Sequence, residues 1–309
     1  MSLLGPLAER DVPLGILTTY RVGGNAAIMA RPRSVDDLQL IAEAVRECEL
    51  PAIVIGRGSN MLVADTGFDG IAISLNELAA DHRIEGTEVV AGAMVALPQL
   101  ARRVVAAGLT GFEWAVGVPG SIGGAVRMNA GGHGSDIETC LVDVLLFDLH
   151  TSTSGRLAAE RLGLRFRGSD LGDHQIVIEA RLRLRIGDRA RSEVELNEIV
   201  RWRREHQPGG QNAGSVFVNP VPGELSAGEL IDRVNLRGTA IGGATVSEKH
   251  ANFIQASDRG LASDVLALIE LVRQRVADET GFVLRSEVRL VGFDQTPADP
   301  NPGVLLEQT

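Results

Sequence analysis

Hydrophobic and polar residues follow a helical spacing over positions 34–47. Val35, Leu38, Ile41, Ala42 and Val45 fall on one face. Ser34 stands ready as an N-cap, and Asp36 and Asp37 suit the positive end of the helix dipole. Pro51 and the apolar run Ala52-Ile53-Val54-Ile55 predict a buried strand. Met61-Leu62-Val63 and Ile71-Ala72-Ile73-Ser74-Leu75 predict two more, separated by an Asp65-Thr66-Gly67 turn. Leu97–Ala107 predicts a second helix, closed by Gly108 at the C′ position. Over 176–186 the period drops to two. Ile176, Ile178, Ala180, Leu182, Leu184 and Ile186 face one way, and Glu179, Arg181, Arg183 and Arg185 face the other, as in a half-buried strand.

The pattern changes near Gly187-Asp188. Ser192 and Glu195 have capping-box spacing and predict a helix running to about Arg204. Ser226-Glu229 predicts another, with Leu230, Ile231 and Val234 inside. Ser263 predicts a long one, with Leu266, Ile269, Val272 and Val276 on its core face and Gly281 beyond its end. The last predicted strand is Val283–Val291, and the proline-rich tail after it is expected to be loose. The order is α+β, with no βα repeat. Three segments follow: residues 1–187, residues 188–293, and a tail at 294–309.

The 309 residues carry a formal net charge of −10, which argues against a nucleic-acid partner. A few cations gathered in one pocket would still attract an anionic substrate. Cys48 and Cys140 have no metal-ligand spacing, so neither a disulfide framework nor a metal site is expected, and a reducing cytoplasm is the natural compartment. The start of the chain does not read as a signal peptide, and no apolar run is long enough to span a bilayer.

Glycine is abundant, and nine of the 36 lie between Gly108 and Gly134. Gly56-Arg57-Gly58-Ser59-Asn60 follows a predicted strand, and successive N–H groups in such a loop can converge on phosphate. The dinucleotide fingerprint needs a helix next, and the Walker loop needs a Lys-Ser/Thr pair. Neither follows here. Taken alone, the loop is better explained as a tight turn. The long stretch from Gly108 to Gly132 alters that balance. Its helical and strand periodicities are both poor, and its small residues would let a second wall approach a long cofactor.

Several motifs in order carry a resemblance: Thr19-Tyr20-Arg21-Val22-Gly23-Gly24, the Gly56–Asn60 loop, the Gly117–Gly132 block, Asn212-Ala213-Gly214-Ser215, the Val246–Phe253 segment and Ser286–Gly292. Over roughly Thr19 to Gly292 the chain resembles the UDP-N-acetylenolpyruvoylglucosamine reductase family. The resemblance implies the FAD-binding fold of the vanillyl-alcohol oxidase/p-cresol methylhydroxylase type plus a smaller C-terminal α+β substrate domain. It also implies reduction of the enolpyruvyl ether of UDP-N-acetylglucosamine to UDP-N-acetylmuramate, a step toward peptidoglycan. In that scheme NADPH reduces FAD, hydride passes to the enolpyruvyl methylene carbon, and a proton goes to its neighbour.

On the matching positions, the resemblance implies Ser215 as proton donor, and Arg167 and Glu287 as the groups that stabilise the enolate. FAD contacts are implied for Tyr20, Arg21, Gly56, Arg57, Gly58, Ser59 and Asn60. Further FAD contacts are implied for Gly117, Pro119, Gly120, Ser121, Gly124, Asn129, Ala130 and Gly131. Asn219, Lys249, His250 and Asn252 are implied for the UDP-sugar. Without the resemblance, Ser215 reads as a turn serine and Arg167 as one of several surface arginines, while for Glu287 an ion pair with Arg285 or Arg289 and a functional role are about equally supported. Members often carry Tyr where Phe166 stands and Lys where Val218 stands, so altered substrate affinity is expected rather than lost chemistry. The short Ser169–Ser215 interval points to the branch without an extra substrate-capping loop. Arg57, rather than His, in the glycine loop points to non-covalent FAD. The chain is expected to be a monomer or weak oligomer. The competing readings are an oxidase of the same fold and a non-catalytic flavin-binding paralogue.

Overall fold

A computed structural model describes residues 4–221 and 223–293, so the tail at 294–309 lies outside the described residues. Helix α1, Val35–Cys48, begins as expected: the Ser34 hydroxyl accepts from the Asp37 N–H at 3.1 Å. It buries Leu38, Ile41 and Ala42. The first sheet orders its strands Ala8–Pro13, Asn25–Ala30, Phe68–Ile73 and Ala52–Val54. The first pair is antiparallel and the others are parallel.

A second, five-stranded antiparallel sheet runs Thr153–Ala158, Leu141–Asp148, Gln175–Arg183, Glu88–Gly92 and His82–Glu85. Helix α2, Leu97–Ala106, has Leu97, Leu100, Ala101, Val104 and Val105 buried, and Gly108 follows it at φ +78°. The largest core joins α1, α2 and this second sheet. Within the glycine-rich stretch lies a short helix, α3, Ile122–Met128. Sequence periodicity missed it because Gly123 and Gly124 blank out its polar face.

The strand expected over 176–186 breaks into Gln175–Arg183 and a two-residue piece, Arg185–Ile186, which pairs with Leu109–Thr110. Ile186 is exposed rather than inward-facing. Helix α4, Arg189–His206, starts one turn earlier than Ser192 would have it. Asp188 is the N-cap, accepting from Ala190 N and Arg191 N. Ser192 is buried inside the helix and donates its hydroxyl to Glu113 Oε1 at 2.5 Å. The serine-glutamate spacing matched, but a buried acceptor claimed the serine. Leu196 and Ile199 of α4 pack into the N-terminal core.

Helix α5, Ala227–Arg233, is capped by Ser226 as the sequence predicts. Helix α6, Ala262–Thr280, ends at Gly281 in the left-handed region, also as predicted. Its start differs. Leu261, not Ser263, is the N-cap, and the first N–H groups are satisfied from far away: Asp65 accepts from Ala262 N at 2.8 Å and Ser263 N at 3.0 Å. A small sheet, Ala240–Ile241, Ala244–Val246 and Ile254–Ala256, packs with α5 and α6 into a second core. Tyr20, Val22 and Leu62 join that core from the N-terminal part of the chain.

The expected last strand, Val283–Val291, is regular only over Arg289–Val291, and Val283 is exposed. Arg289–Val291 pairs in parallel with Met61–Val63, immediately after the glycine loop. The chain therefore returns, near the last of the described residues, to the strand that leaves the glycine loop.

Candidate active site

The Gly56–Asn60 loop connects Ala52–Val54 to Met61–Val63. Gly58 sits at φ +61°, and a Cβ there would lie 2.4 Å from Leu17 O, so the close approach admits only glycine. Thr19 N donates to Gly58 O at 3.0 Å and pins the loop from outside. The N–H groups of residues 56–60 donate to no acceptor among the described residues. They are unspent donors on the wall of a cleft. Donors left unmet by the protein suit an anionic ligand, and a diphosphate has the right chemistry.

The facing wall comes from the second glycine block. Gly117, Pro119, Gly120, Ser121 and Gly124 line the cleft, followed by Ala130 and Gly131. A Cβ at Gly124 would meet nothing nearer than Ser121 Oγ at 3.6 Å, so the space it would fill belongs to the cleft. The two glycine-rich walls thus bound one cleft.

Arg167, Ser215 and Glu287 all line this cleft, although they come from positions 48 and 72 residues apart. Arg167 sits in a tight turn closed by mutual backbone bonds between Arg165 and Gly168, with φ +58° at Arg167 itself. Its Nη2 donates to Gly131 O at 3.0 Å, and its Nε lies 3.5 Å from Glu287 Oε2. Phe166 is exposed, with the Arg167 guanidinium 4.9 Å from its ring centre. Burial pushes the Glu287 carboxyl above its usual range, and Arg167 and Arg285 oppose that shift.

Ser215 follows Gly214, which has φ +77°. No hydrogen bond among the described residues holds its hydroxyl, although the backbone around it is fixed. Val216 N donates to Asn252 O, and Glu287 N donates to Val216 O at 2.8 Å. Asn60 ties the loop to the same segment, donating from Nδ2 to Glu287 O at 2.8 Å and accepting at its backbone O from Arg289 N. The loop, the serine and the glutamate are thus held on one backbone network.

Several residues implied by the resemblance stand outside the cleft lining. Tyr20 is fully buried beside Ala213 in the second core. Arg21 is exposed, and its N–H donates to the Thr18 hydroxyl. Asn129 is buried and bonds Glu138 and Arg165 O. Asn219 accepts from Ala227 N at the start of α5, and the exposed Lys249 donates to Arg204 O. His250 Nδ1 accepts from Asn252 N, and the Asn252 amide bonds both N–H and C=O of Phe217. Asn252 therefore fixes the segment that carries Ser215. Val218 is buried and its N–H donates to Arg285 O, so it also sits behind the site. Ser169 is buried and donates to Arg127 O.

Sequence reasoning missed four cleft residues with charge or amide chemistry: Arg127, Arg203, Gln207 and Arg289. Arg127 and Arg289 both pair with Asp173. Arg203 and Gln207 stand four apart at the end of α4, where Arg203 Nε donates to Gln207 Oε1 at 2.7 Å and its Nη1 to Gly117 O. Burial disfavours the charge on Arg203. With Arg57 and Arg167, five arginines line the cleft against one carboxylate, Glu287. The helical spacing of Arg203 and Gln207 was a legible signal; the inward aim of Arg127 and Arg289 was not.

A second hollow of about 490 Å³ lies between Thr110–Trp114 and the start of α4. Its buried Glu113 already accepts from Thr110, Gly111 and Ser192, which hold the carboxyl below its usual range despite burial. His133 faces this hollow rather than the cleft, and burial lowers its pKa. None of the three catalytic candidates reaches it.

Comparison with known proteins matches both parts of the chain. Residues 26–151 match the FAD binding domain family, and residues 206–291 match the family described as UDP-N-acetylenolpyruvoylglucosamine reductase, C-terminal domain. The chain is 44% identical over 282 residues to the UDP-N-acetylenolpyruvoylglucosamine reductase of Heliobacterium modesticaldum, covering 91% of this chain and 89% of that one. It is 41% identical to the protein of that name from Gloeobacter violaceus, covering 92% and 96%. The crystal structure of the Thermus caldophilus reductase superposes with a TM-score of 0.79 at 34% identity, covering 92% of this chain and 98% of that one. The FAD-binding fold with a smaller C-terminal α+β domain is therefore present as the sequence implied. With both halves matched in order and nearly the whole length aligned, the chain belongs to the UDP-N-acetylenolpyruvoylglucosamine reductase family.

Proposed function

We propose that this chain reduces the enolpyruvyl ether of UDP-N-acetylglucosamine to UDP-N-acetylmuramate, with FAD held non-covalently and NADPH as reductant. The observation that carries the reading is the meeting of Arg167, Ser215 and Glu287 in one cleft walled by the glycine loop. The residues of the two glycine walls would hold FAD, which would supply the hydride chemistry at the methylene carbon. Arg167 grips the substrate carboxylate and offsets the charge that builds on it. Ser215 delivers a proton to the adjacent carbon; its hydroxyl is unclaimed by the protein, and its backbone is fixed on both sides. Glu287, whose carboxyl burial pushes above its usual range against Arg167 and Arg285, donates a hydrogen bond to an enolate oxygen when it carries its proton.

The arginines at the cleft suit the diphosphate groups of FAD, UDP-sugar and NADPH in a chain of net charge −10. No His or Cys lines the cleft among the described residues, which supports non-covalent flavin. Cys48 and Cys140 are both free, in keeping with a reducing cytoplasm. The test is NADPH consumption by purified protein with and without the enolpyruvyl substrate. The reading expects consumption stoichiometric with added substrate, and consumption unchanged by the substrate would overturn it.

A further inference from the structure

Outside the cleft, Asp148, His150 and His174 form a cluster that the proposed reaction does not use. Strand Leu141–Asp148 ends beside the start of Gln175–Arg183, with Asp148 opposite Gln175 in register. Leu149 N donates to His174 O at 2.9 Å, so the ends of these two strands are locked together. The Asp148 carboxylate is almost fully buried. Its Oδ1 accepts from His150 N at 2.9 Å and Thr151 N at 3.1 Å, and its Oδ2 accepts from the Gln175 amide at 3.2 Å. His174 Nε2 lies 3.5 Å from Oδ2. The two imidazoles stack, with centres 4.1 Å apart and planes 7° from parallel. One nitrogen from each ring and one Asp148 oxygen all lie within 4.8 Å of one another.

We propose that Asp148, His150 and His174 form a binding site for a borderline divalent transition-metal ion such as zinc. A turn capped by Asp148 explains the two backbone bonds to its carboxylate. It requires neither histidine. Two imidazoles beside a buried carboxylate give the nitrogen and oxygen donor set of zinc, cobalt or nickel, which hard calcium and magnesium do not favour. Donors bound at about 2.1 Å around a tetrahedral ion stand about 3.4 Å apart, so the cluster must tighten by about an ångström. The parallel rings cannot both aim a lone pair at one ion, so the exposed His150 must turn out of the stack, whereas Asp148 ends its strand and His174 is tied by its carbonyl to Leu149 N. The turn N–H groups and Gln175 hold the carboxylate in place, as outer-shell partners do in metal sites. Three protein donors leave one position for water. Cysteine spacing held no sign of the site because its ligands are an aspartate and two histidines beside the ends of two separate strands.

The test is calorimetric titration of zinc chloride into chelator-treated, FAD-loaded full chain, using wild type, His150→Gln and His174→Gln. The expected result is one zinc per chain with micromolar affinity, weakened about tenfold or more in each variant, and no heat from magnesium chloride. Retained wild-type affinity in either variant, or no stoichiometric zinc uptake by the wild type, would overturn the site. Melting temperatures of the variants verify folding, and the exposed His150 position decides alone if His174→Gln does not fold.

Discussion

Glu287 is pulled two ways: burial resists its charge, and the Arg167 guanidinium 3.5 Å away favours it. Burial dominates, so the folded chain holds this proton more tightly than the unfolded chain does. Stability is then lost as pH rises from the ordinary carboxyl value of 4.5 toward the higher folded value, and stays lost above it. Glu287→Gln removes that cost. Its melting temperature should match wild type near pH 4 and exceed it increasingly toward neutrality; a gap independent of pH would contradict the shift. At Ser215 the expected effect is kinetic. Ser215→Ala should leave flavin reduction by NADPH intact and slow reoxidation by the enolpyruvyl substrate by about 10²–10⁴-fold in stopped-flow. Fast reoxidation would remove Ser215 as the donor. Motif resemblance led to both residues, and it also led to Asn219, Lys249, His250 and Asn252, whose bonds go to backbone groups. A motif alone does not tell a side chain whose polar group is unclaimed by the protein from one already bonded to backbone. Only coordinates separate Ser215, with its unclaimed hydroxyl, from Asn252, whose amide is committed to Phe217.

Among the elements, those set by local chemistry were legible and those set by distant partners were not. Ser34 and Ser226 cap their helices through their own third neighbours, and Gly108 and Gly281 follow theirs at positive φ. The start of α6 is instead decided by Asp65, nearly two hundred residues upstream. No window of sequence around Ser263 contains that information. Asp65→Ala should cost about 1 kcal/mol of stability, the usual worth of a helix cap, read from urea denaturation. A loss well under that figure would mean that Asp264, which accepts from Leu261 N, caps the helix unaided. Helix α4 was misplaced by a turn for a related reason. Ser192 found a buried acceptor in Glu113, and Asp188 took its place at the cap.

Across the whole molecule, a net charge of −10 coexists with a cleft lined by five arginines. The exposed Arg57 and the half-buried guanidinia make the pocket's field sensitive to ions in solution. Salt shortens electrostatic reach from about 10 Å at 0.1 M to about 3 Å at 1 M. The KM for the UDP-sugar should therefore rise with ionic strength while the hydride step changes little; a KM flat in salt would remove the arginines from substrate capture. Denaturation should release the yellow chromophore into a filtrate, and chromophore retained on the chain would mean a covalent bond.

The parallel pairing of Arg289–Val291 with Met61–Val63 has one more consequence, for the order of assembly. The glycine loop emerges from the ribosome early, but the strand that braces its far side, together with Glu287, is among the last described residues to appear. Contacts of such long sequence separation form late and slowly. Flavin capture should therefore report a finished chain. A version stopped after Gly281 should fold much of its first sheet yet fail to retain FAD through gel filtration. In a growing cell, such a delay would leave the flavin for complete chains alone.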